Sequence, residues 1–150
     1  MGAWTMRVEP SAGENVSVPA LALTVLEERL SICRLDAGAK VPAWAMKASF
    51  FSVTRTQDEL SVVCPEEDVP DGVSRERGWR ALKLEGPLDL SMVGVLSSVA
   101  APLTGAGTSI FAVSTFDTDY VLVRETQLDL AVGTLRENGH RVGDYSAGGR

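Results

Sequence analysis

Residues 110–123 read as two alternating strands joined by a tight turn, an apolar run on each side of a polar bend. Phe111 and Val113 share one face of the first run, and Tyr120 and Leu122 share the matching face of the second. Side chains of a strand point alternately to opposite faces, so the pattern predicts a hairpin with one buried side. The turn holds Ser114, Thr115, Asp117, Thr118 and Asp119 around Phe116, more polar groups than a tight turn requires. That surplus points to a small-molecule contact or a partner surface.

Elsewhere the period lengthens. Leu96, Val99, Ala100 and Leu103 recur at helical spacing and predict a helix over about 90–104, capped by Asp89 or Ser91 and stopped by Gly105 and Gly107. Leu128, Ala131, Val132 and Leu135 predict a second helix, opened by Thr126 with Asp129 as a capping box and closed by Asn138-Gly139. Residues 79–85 alternate as a strand, and 141–145 can add a last one. The order across 79–145 is therefore βαββαβ. Right-handed crossovers then place both helices on one face of an antiparallel sheet, a ferredoxin-like sandwich.

The first half repeats this order in reduced form. Strands are predicted over 21–26, 30–35, 50–54 and 60–64, with a single helical turn over 42–46 in place of the first helix. Sliding the chain by sixty positions sets Phe51 on Phe111, Val53 on Val113 and Val62 on Leu122 without a gap, which reads as duplication of one unit. The expected fold is α+β: two tandem ferredoxin-like units, 19–78 and 79–145, the first with a shortened helix. A loose arm over 1–18 precedes them, and a fraying tail over 146–150 follows.

Charge and composition narrow the function. The 150 residues carry a net charge of −6, and the pI is near 4.8. A nucleic-acid binder needs a basic footprint, and an anionic membrane repels an acidic surface, so neither partner is expected. No signal peptide and no membrane span is expected, which makes the cytoplasm the expected compartment. Cys33 and Cys64 fit it as reduced thiols on strands. One histidine, His140, just past a helix end and placed to meet that helix's last carbonyls, forms no zinc site with two distant cysteines. No base lies near either thiol in sequence and there is no phosphate-binding glycine loop, so neither enzyme activity nor a cofactor is expected.

The segments Gly86-Pro87-Leu88-Asp89, Val93-Gly94-Val95-Leu96 and 109–120, set in a βαββαβ unit, resemble an ACT domain. More narrowly, residues 20–145 resemble the small bacterial tandem-ACT proteins related to the animal cytosolic arginine sensors and to the regulatory part of aspartate kinases. The resemblance implies ligand-responsive regulation, with a free amino acid bound where paired ACT domains meet. It implies a homodimer and leaves room for a protein partner. It also implies a pocket between the first β-to-α loop (Leu88, Asp89, Leu90, Ser91 and Met92) and the end of the second strand (Ser114, Thr115, Phe116 and Asp119). In the arginine sensors an acidic residue stands two places before the helix glycine. Here Met92 stands two before Gly94, which favours a neutral or apolar amino acid at least as much as a cationic one.

The residues themselves give the pocket a chemistry. Unpaired N–H groups at a helix start attract a carboxylate. Asp119 can accept from an ammonium group, and Phe116 can cover the ligand. Plainer roles fit the same residues. Asp117 and Asp119 suit a turn, Asp89 suits a helix cap, and Phe116 suits a core. The alternative function is a ligand-free module for protein–protein pairing, with the polar turn as its adhesive surface.

Overall fold

The structure, a computed structural model, describes residues 20–89 and 91–147. The arm expected over 1–18, and most of the expected tail, lie outside the described residues. Among the described residues eight strands form a single sheet. They are β1 (Ala22–Val25), β2 (Leu30–Leu35), β3 (Ser52–Arg55), β4 (Leu60–Pro65), β5 (Ser74–Leu84), β6 (Ile110–Ser114), β7 (Asp119–Arg124) and β8 (Arg141–Val142). Two helices, α1 (Val95–Gly105) and α2 (Leu128–Glu137), and three single 3-10 turns complete the fold.

The long strand β5 is shared. Its first half pairs antiparallel with β2, and its second half pairs antiparallel with β7 on the other edge. Strands β3-β4-β2-β5 make the first ferredoxin-like unit, whose helices are reduced to the 3-10 turns Ala43–Met46 and Glu66–Asp68. Strands β5, β6, β7 and β8, with α1 and α2, make the second. The predicted α+β class and the shortened first helix both stand.

Strand β1 departs from the expected plan. A ferredoxin-like unit would pair its last strand with its first. Here β1 lies between them, antiparallel to β5 and parallel to β8. The strand expected to open the first unit therefore completes the sheet of the second, and β1 and β2 run end to end along β5. His140 fastens this insertion. Its Nδ1 accepts from Leu21 N–H at 3.1 Å, and its Nε2 lies 3.1 Å from the Ser98 carbonyl of α1. Pro102 lies four residues after Ser98 and has no N–H to give that carbonyl, so the imidazole supplies the missing donor. The expected contact of His140 with the last carbonyls of its own helix is made by its backbone N–H, which donates to the Leu135 carbonyl at 3.1 Å, while its ring joins Leu21 to α1.

Three apolar layers hold the fold. Val99 and Leu103 of α1 and Ala131, Val132 and Leu135 of α2 pack on Leu82, Leu84, Val121 and Val123 of the sheet. Each fully buried leucine here stabilises by roughly 1.5–3 kcal/mol through removal from water. Under the 3-10 turns, a smaller layer gathers Cys33, Ala45, Leu60, Val62 and Cys64. Between the two halves of the folded-over sheet lie Leu30, Val63, Trp79, Ala81 and Leu122, with Phe111, Val113 and Tyr120 packed against them. Phe50 of the first half meets Tyr120 of the second with ring centroids 4.8 Å apart.

The ladder registers correct the sixty-residue repeat. Ser52 pairs with Val63 in the first hairpin, and Phe111 pairs with Leu122 in the second. Val63 and Leu122 share the central layer, while Val62 and Val121 face the helical sides, so the structural repeat is one position shorter than the sequence slide. One step along a strand exchanges its two faces, so the slide had matched opposite sides of the sheet.

Arg80 is fully buried on the helical side of β5. Its guanidinium donates to the Leu26 carbonyl at 3.0 and 3.2 Å and to the Ser146 carbonyl at 3.3 Å. Glu125 lies 3.9 Å away. Ser146, assigned from sequence to a fraying tail, is therefore held.

Candidate functional site

A cleft of about 610 Å³ opens between the β5–α1 loop, the first turns of α1 and the tip of the β6–β7 hairpin. Local hydrogen bonds fix its shape. Thr115 N–H donates to the Thr118 carbonyl at 2.8 Å, which closes the hairpin. Thr118 Oγ1 donates to the Leu84 carbonyl at 2.6 Å, and Leu88 N–H donates to the Asp117 carbonyl at 2.7 Å. The hairpin tip is thereby tied to the loop below it. Gly86 permits this approach, because a Cβ there would lie 2.9 Å from Leu88 N and 3.1 Å from the Asp117 carbonyl. Part of the polar surplus at the turn is spent on this internal bonding.

The loop ends later than the sequence predicted. Asp89 accepts from the N–H and the hydroxyl of Ser91 at 2.9 and 2.8 Å, which turns the chain before any helix begins. Gly94 then takes φ +84°, a left-handed conformation that a helix cannot continue through. Helix α1 starts at Val95 with no side chain capping it, and Val95, Leu96 and Ser97 line the cleft. The expected helix start near position 90, capped by Asp89 or Ser91, is corrected. So is the capping box of α2: no side chain caps that helix, and Asp129 accepts instead from the Tyr145 hydroxyl.

Of the residues singled out from sequence, the structure brings Leu88, Asp89, Met92, Thr115 and Asp119 together around the cleft. Ser91 holds Asp89 from behind and does not line it. Ser114 donates to Asp119 Oδ1 at 2.5 Å but borders a separate hollow of about 160 Å³ between the two hairpins. Leu90 lies outside the described residues. Phe116 does not cover the cleft. It occupies the tip of the two-residue turn and is 82% exposed, because closure between Thr115 and Thr118 directs position 116 outward.

Sequence reasoning missed Val93 to Ser97, Ala100, Asp117 and Thr118 as lining residues. A signal existed for two of them. Leu96 and Ala100 had been placed on the core face of the helix, which widened that face beyond one core stripe. In the structure Val95, Val99 and Leu103 are buried, while Leu96 and Ala100 border the cleft.

Among the described residues three carboxylates, from Asp89, Asp117 and Asp119, line the cleft, and no lysine, arginine or histidine does. The two hydrogen bonds from Ser91 hold the Asp89 carboxyl below the usual aspartate range. Among the described residues, no group of three or more histidine, cysteine or acidic side chains is placed to hold a metal ion. Cys33 and Cys64 are free and buried in the first unit. The hydrogen bond between the two thiols and burial push the Cys64 thiol far up, away from the reactive thiolate. Among the described residues no helix is long and apolar enough to cross a membrane.

The geometry can be set beside known proteins. The ACT-domain family pattern matches residues 74–137, and a pattern for an associated N-terminal domain matches 28–72. A crystal structure of a protein from Agobacterium tumefaciens is 39% identical, with a TM-score of 0.81, and the match covers 86% of this chain and 96% of that one. The regulatory subunit of aspartate kinase from Thermus flavus shares the fold, with 9% identity and a TM-score of 0.58, over 80% of this chain and 99% of that one. The bovine protein named "Cytosolic arginine sensor for mTORC1 subunit 1" is 29% identical over 100 residues, which are 59% of this chain and 30% of that protein. The human "Putative protein CASTOR3P" is 28% identical over 102 residues, with 63% of its length covered. The chain thus spans less than two thirds of these curated relatives. The chain belongs to the ACT-domain proteins, with an associated N-terminal domain, is distantly related to the cytosolic arginine sensors, and shares its fold with the regulatory domains of aspartate kinases.

Proposed function

We propose that this ACT-domain regulatory module binds a free amino acid in the cleft between α1 and the β6–β7 hairpin. The observation that carries the reading is the meeting of opposite needs in one opening. The uncapped start of α1 offers N–H donors and a positive dipole end to a carboxylate. Asp117 and Asp119 on the facing hairpin offer acceptors to an ammonium group. The names of the curated relatives, which call them cytosolic arginine sensors, support sensing as the role and the cytosol as the compartment.

Two copies would close the opening. Met92, Val93 and Phe116, which are 40%, 78% and 82% exposed, edge it with apolar surface suited to a second copy. In this arrangement a ligand regulates by favouring one packing of the two copies over another. The units remain 19–78 and 79–145, with β1 lent to the second. The same exposed edge favours the second reading, a pairing module that needs no ligand.

A thermal-shift screen of the full chain against the twenty amino acids separates the readings. A ligand at about 100 times its Kd adds roughly 2.7 kcal/mol of stability. That raises the midpoint by about 5–10 °C for a domain of this size. Asp119→Ala should erase the rise and leave the unliganded midpoint nearly unchanged. If no amino acid raises the midpoint, the pairing module is the function.

A further inference from the structure

We infer that the cleft selects amino acids with uncharged aliphatic side chains and that the outer stripe of α1 sets this selectivity; the inference rests on the amino-acid reading above. Helix α1 carries two apolar stripes. Val95, Val99 and Leu103 form one, and all three are buried in the core. Leu96 and Ala100, one turn apart, form the other, and they face the cleft with Val93 and Met92 just before the helix. Leu88 adds apolar surface from the loop. The sole polar side chain of the helix on this wall is Ser97, and its hydroxyl already donates to the Gly94 carbonyl at 3.1 Å.

The head group of an amino acid fixes the rest of the ligand. Its carboxylate and ammonium sit on one carbon, so both must lie where the helix start faces the hairpin carboxylates. The side chain then leaves the head group along the Leu96–Ala100 stripe. A lysine or arginine side chain would bring its charge onto apolar surface with no acceptor, and an unpaired charge taken from water is strongly penalised. Asp89 is the one further carboxylate on the lining, and its Oδ1 already accepts both Ser91 donors, which leaves a single oxygen for the three donors of an ammonium or the five of a guanidinium. An aliphatic side chain gains about fourfold in affinity for each methylene it buries there.

Calorimetric titration of the full chain with glycine, alanine, norvaline, leucine, methionine, lysine and arginine tests the assignment. Affinity should climb from glycine to leucine by several-fold per added carbon, and leucine and methionine should bind at least tenfold tighter than lysine or arginine. Isoamylamine and 4-methylpentanoate, which each lack one end of the leucine head group, should bind at least tenfold more weakly than leucine. Met92→Glu changes a side chain that is 40% exposed, so the fold should tolerate it, as the melting midpoint will report. That substitution should narrow the gap between leucine and arginine by tenfold or more. Lysine or arginine binding the unaltered chain as tightly as leucine would overturn the aliphatic assignment and leave the amino-acid reading standing. A flat series from glycine to leucine would do the same. Binding of no amino acid removes both.

Discussion

The two units share strand wiring and even turn chemistry, yet only the second builds the large cleft. In the first hairpin Thr56 N–H donates to the Glu59 carbonyl at 2.9 Å, and the Thr56 hydroxyl accepts from Asp58 and Glu59 N–H at 3.2 Å. In the second, Thr115 closes on Thr118 in the same way, with its hydroxyl accepting from Thr118 N–H at 3.2 Å. The difference lies in the loop beneath each hairpin. In the first unit, the Arg55 guanidinium reaches down to the carbonyls of Ala37 and Ala39 and fills the gap, and the 3-10 turn that follows is only four residues long. In the second, Ser114 stands at the matching ladder position, and an eleven-residue helix whose first turns wall the cleft follows the loop in place of the short turn. Two units of like strand wiring thus differ in having a binding-sized opening through one longer helix and a serine where the other has an arginine.

The comparison breaks hardest in the cores. Leu103→Ala removes a fully buried side chain of α1, and the cavity should cost about 2–5 kcal/mol in urea denaturation. Leu60→Ala makes the matching change beneath the 3-10 turns of the first unit at a comparable cost. The two should differ in ligand binding. The α1 variant should lose affinity because the cleft wall shifts, and the β4 variant should keep it. Equal losses of affinity would mean that the opening depends on the whole sheet and not on the helix.

Next in size is His140, which has no counterpart in the first unit. His140→Ala leaves the Leu21 N–H and the Ser98 carbonyl without partners. One buried and one half-buried group left unsatisfied should cost about 2–4 kcal/mol. Hydrogen exchange should show the loss concentrated in β1 and β8, with β3 and β4 protected as before. Uniform loss across the sheet would refute the fastening role. Gly86→Ala should be smaller, about 1–3 kcal/mol by backbone displacement, because its Cβ would push Leu88 from the hairpin. Ligand affinity should fall with it, and an unchanged affinity would mean that the tie between loop and hairpin does not shape the site.

These contrasts also mark what the sequence could carry. The runs at 110–123 and 79–85 were legible as strands, but both sides of these strands face a core where one was expected: Leu82, Val121 and Val123 lie under the helices and Ala81 and Leu122 in the central layer. The stripe of Leu128, Ala131, Val132 and Leu135 revealed α2, and all four are buried. The insertion of β1 was illegible, because an apolar strand reads the same wherever it pairs. The repeat was visible but misregistered by one position. Both faces of these strands are apolar, so sequence similarity alone does not penalise a slip that exchanges them. At the site, the loop and hairpin were legible as turn-rich segments around a helix start. The outward direction of Phe116 and the division of α1 into core and cleft stripes depend on hairpin closure and on the rotation of a helix about its axis, neither of which a residue pattern specifies.

The smallest effect distinguishes the loops most directly. Asp89 is fully exposed, yet the N–H and hydroxyl of Ser91 hold its carboxyl below the usual aspartate range. A carboxyl whose folded pKa is depressed contributes to stability above its unfolded pKa, and that contribution is lost as pH falls through the folded value. The window therefore lies at and below the ordinary aspartate range. Because the group is exposed, solvent screening keeps its share of stability slight, so the observable to follow is the titration itself. Carbon-detected NMR should show Asp89 titrating below an unperturbed aspartate in the native chain. In Ser91→Ala the hydroxyl bond is gone and the backbone bond remains, so the midpoint should move up only part of the way. In Ser91→Pro both donors are gone, and it should return to the ordinary range. If Ser91→Ala leaves the midpoint unmoved, the hydroxyl does not hold the carboxylate, and Asp89 is free to serve the cleft as a third acceptor beside Asp117 and Asp119. A cationic side chain would then gain a partner at the loop, and the preference for aliphatic ligands would weaken.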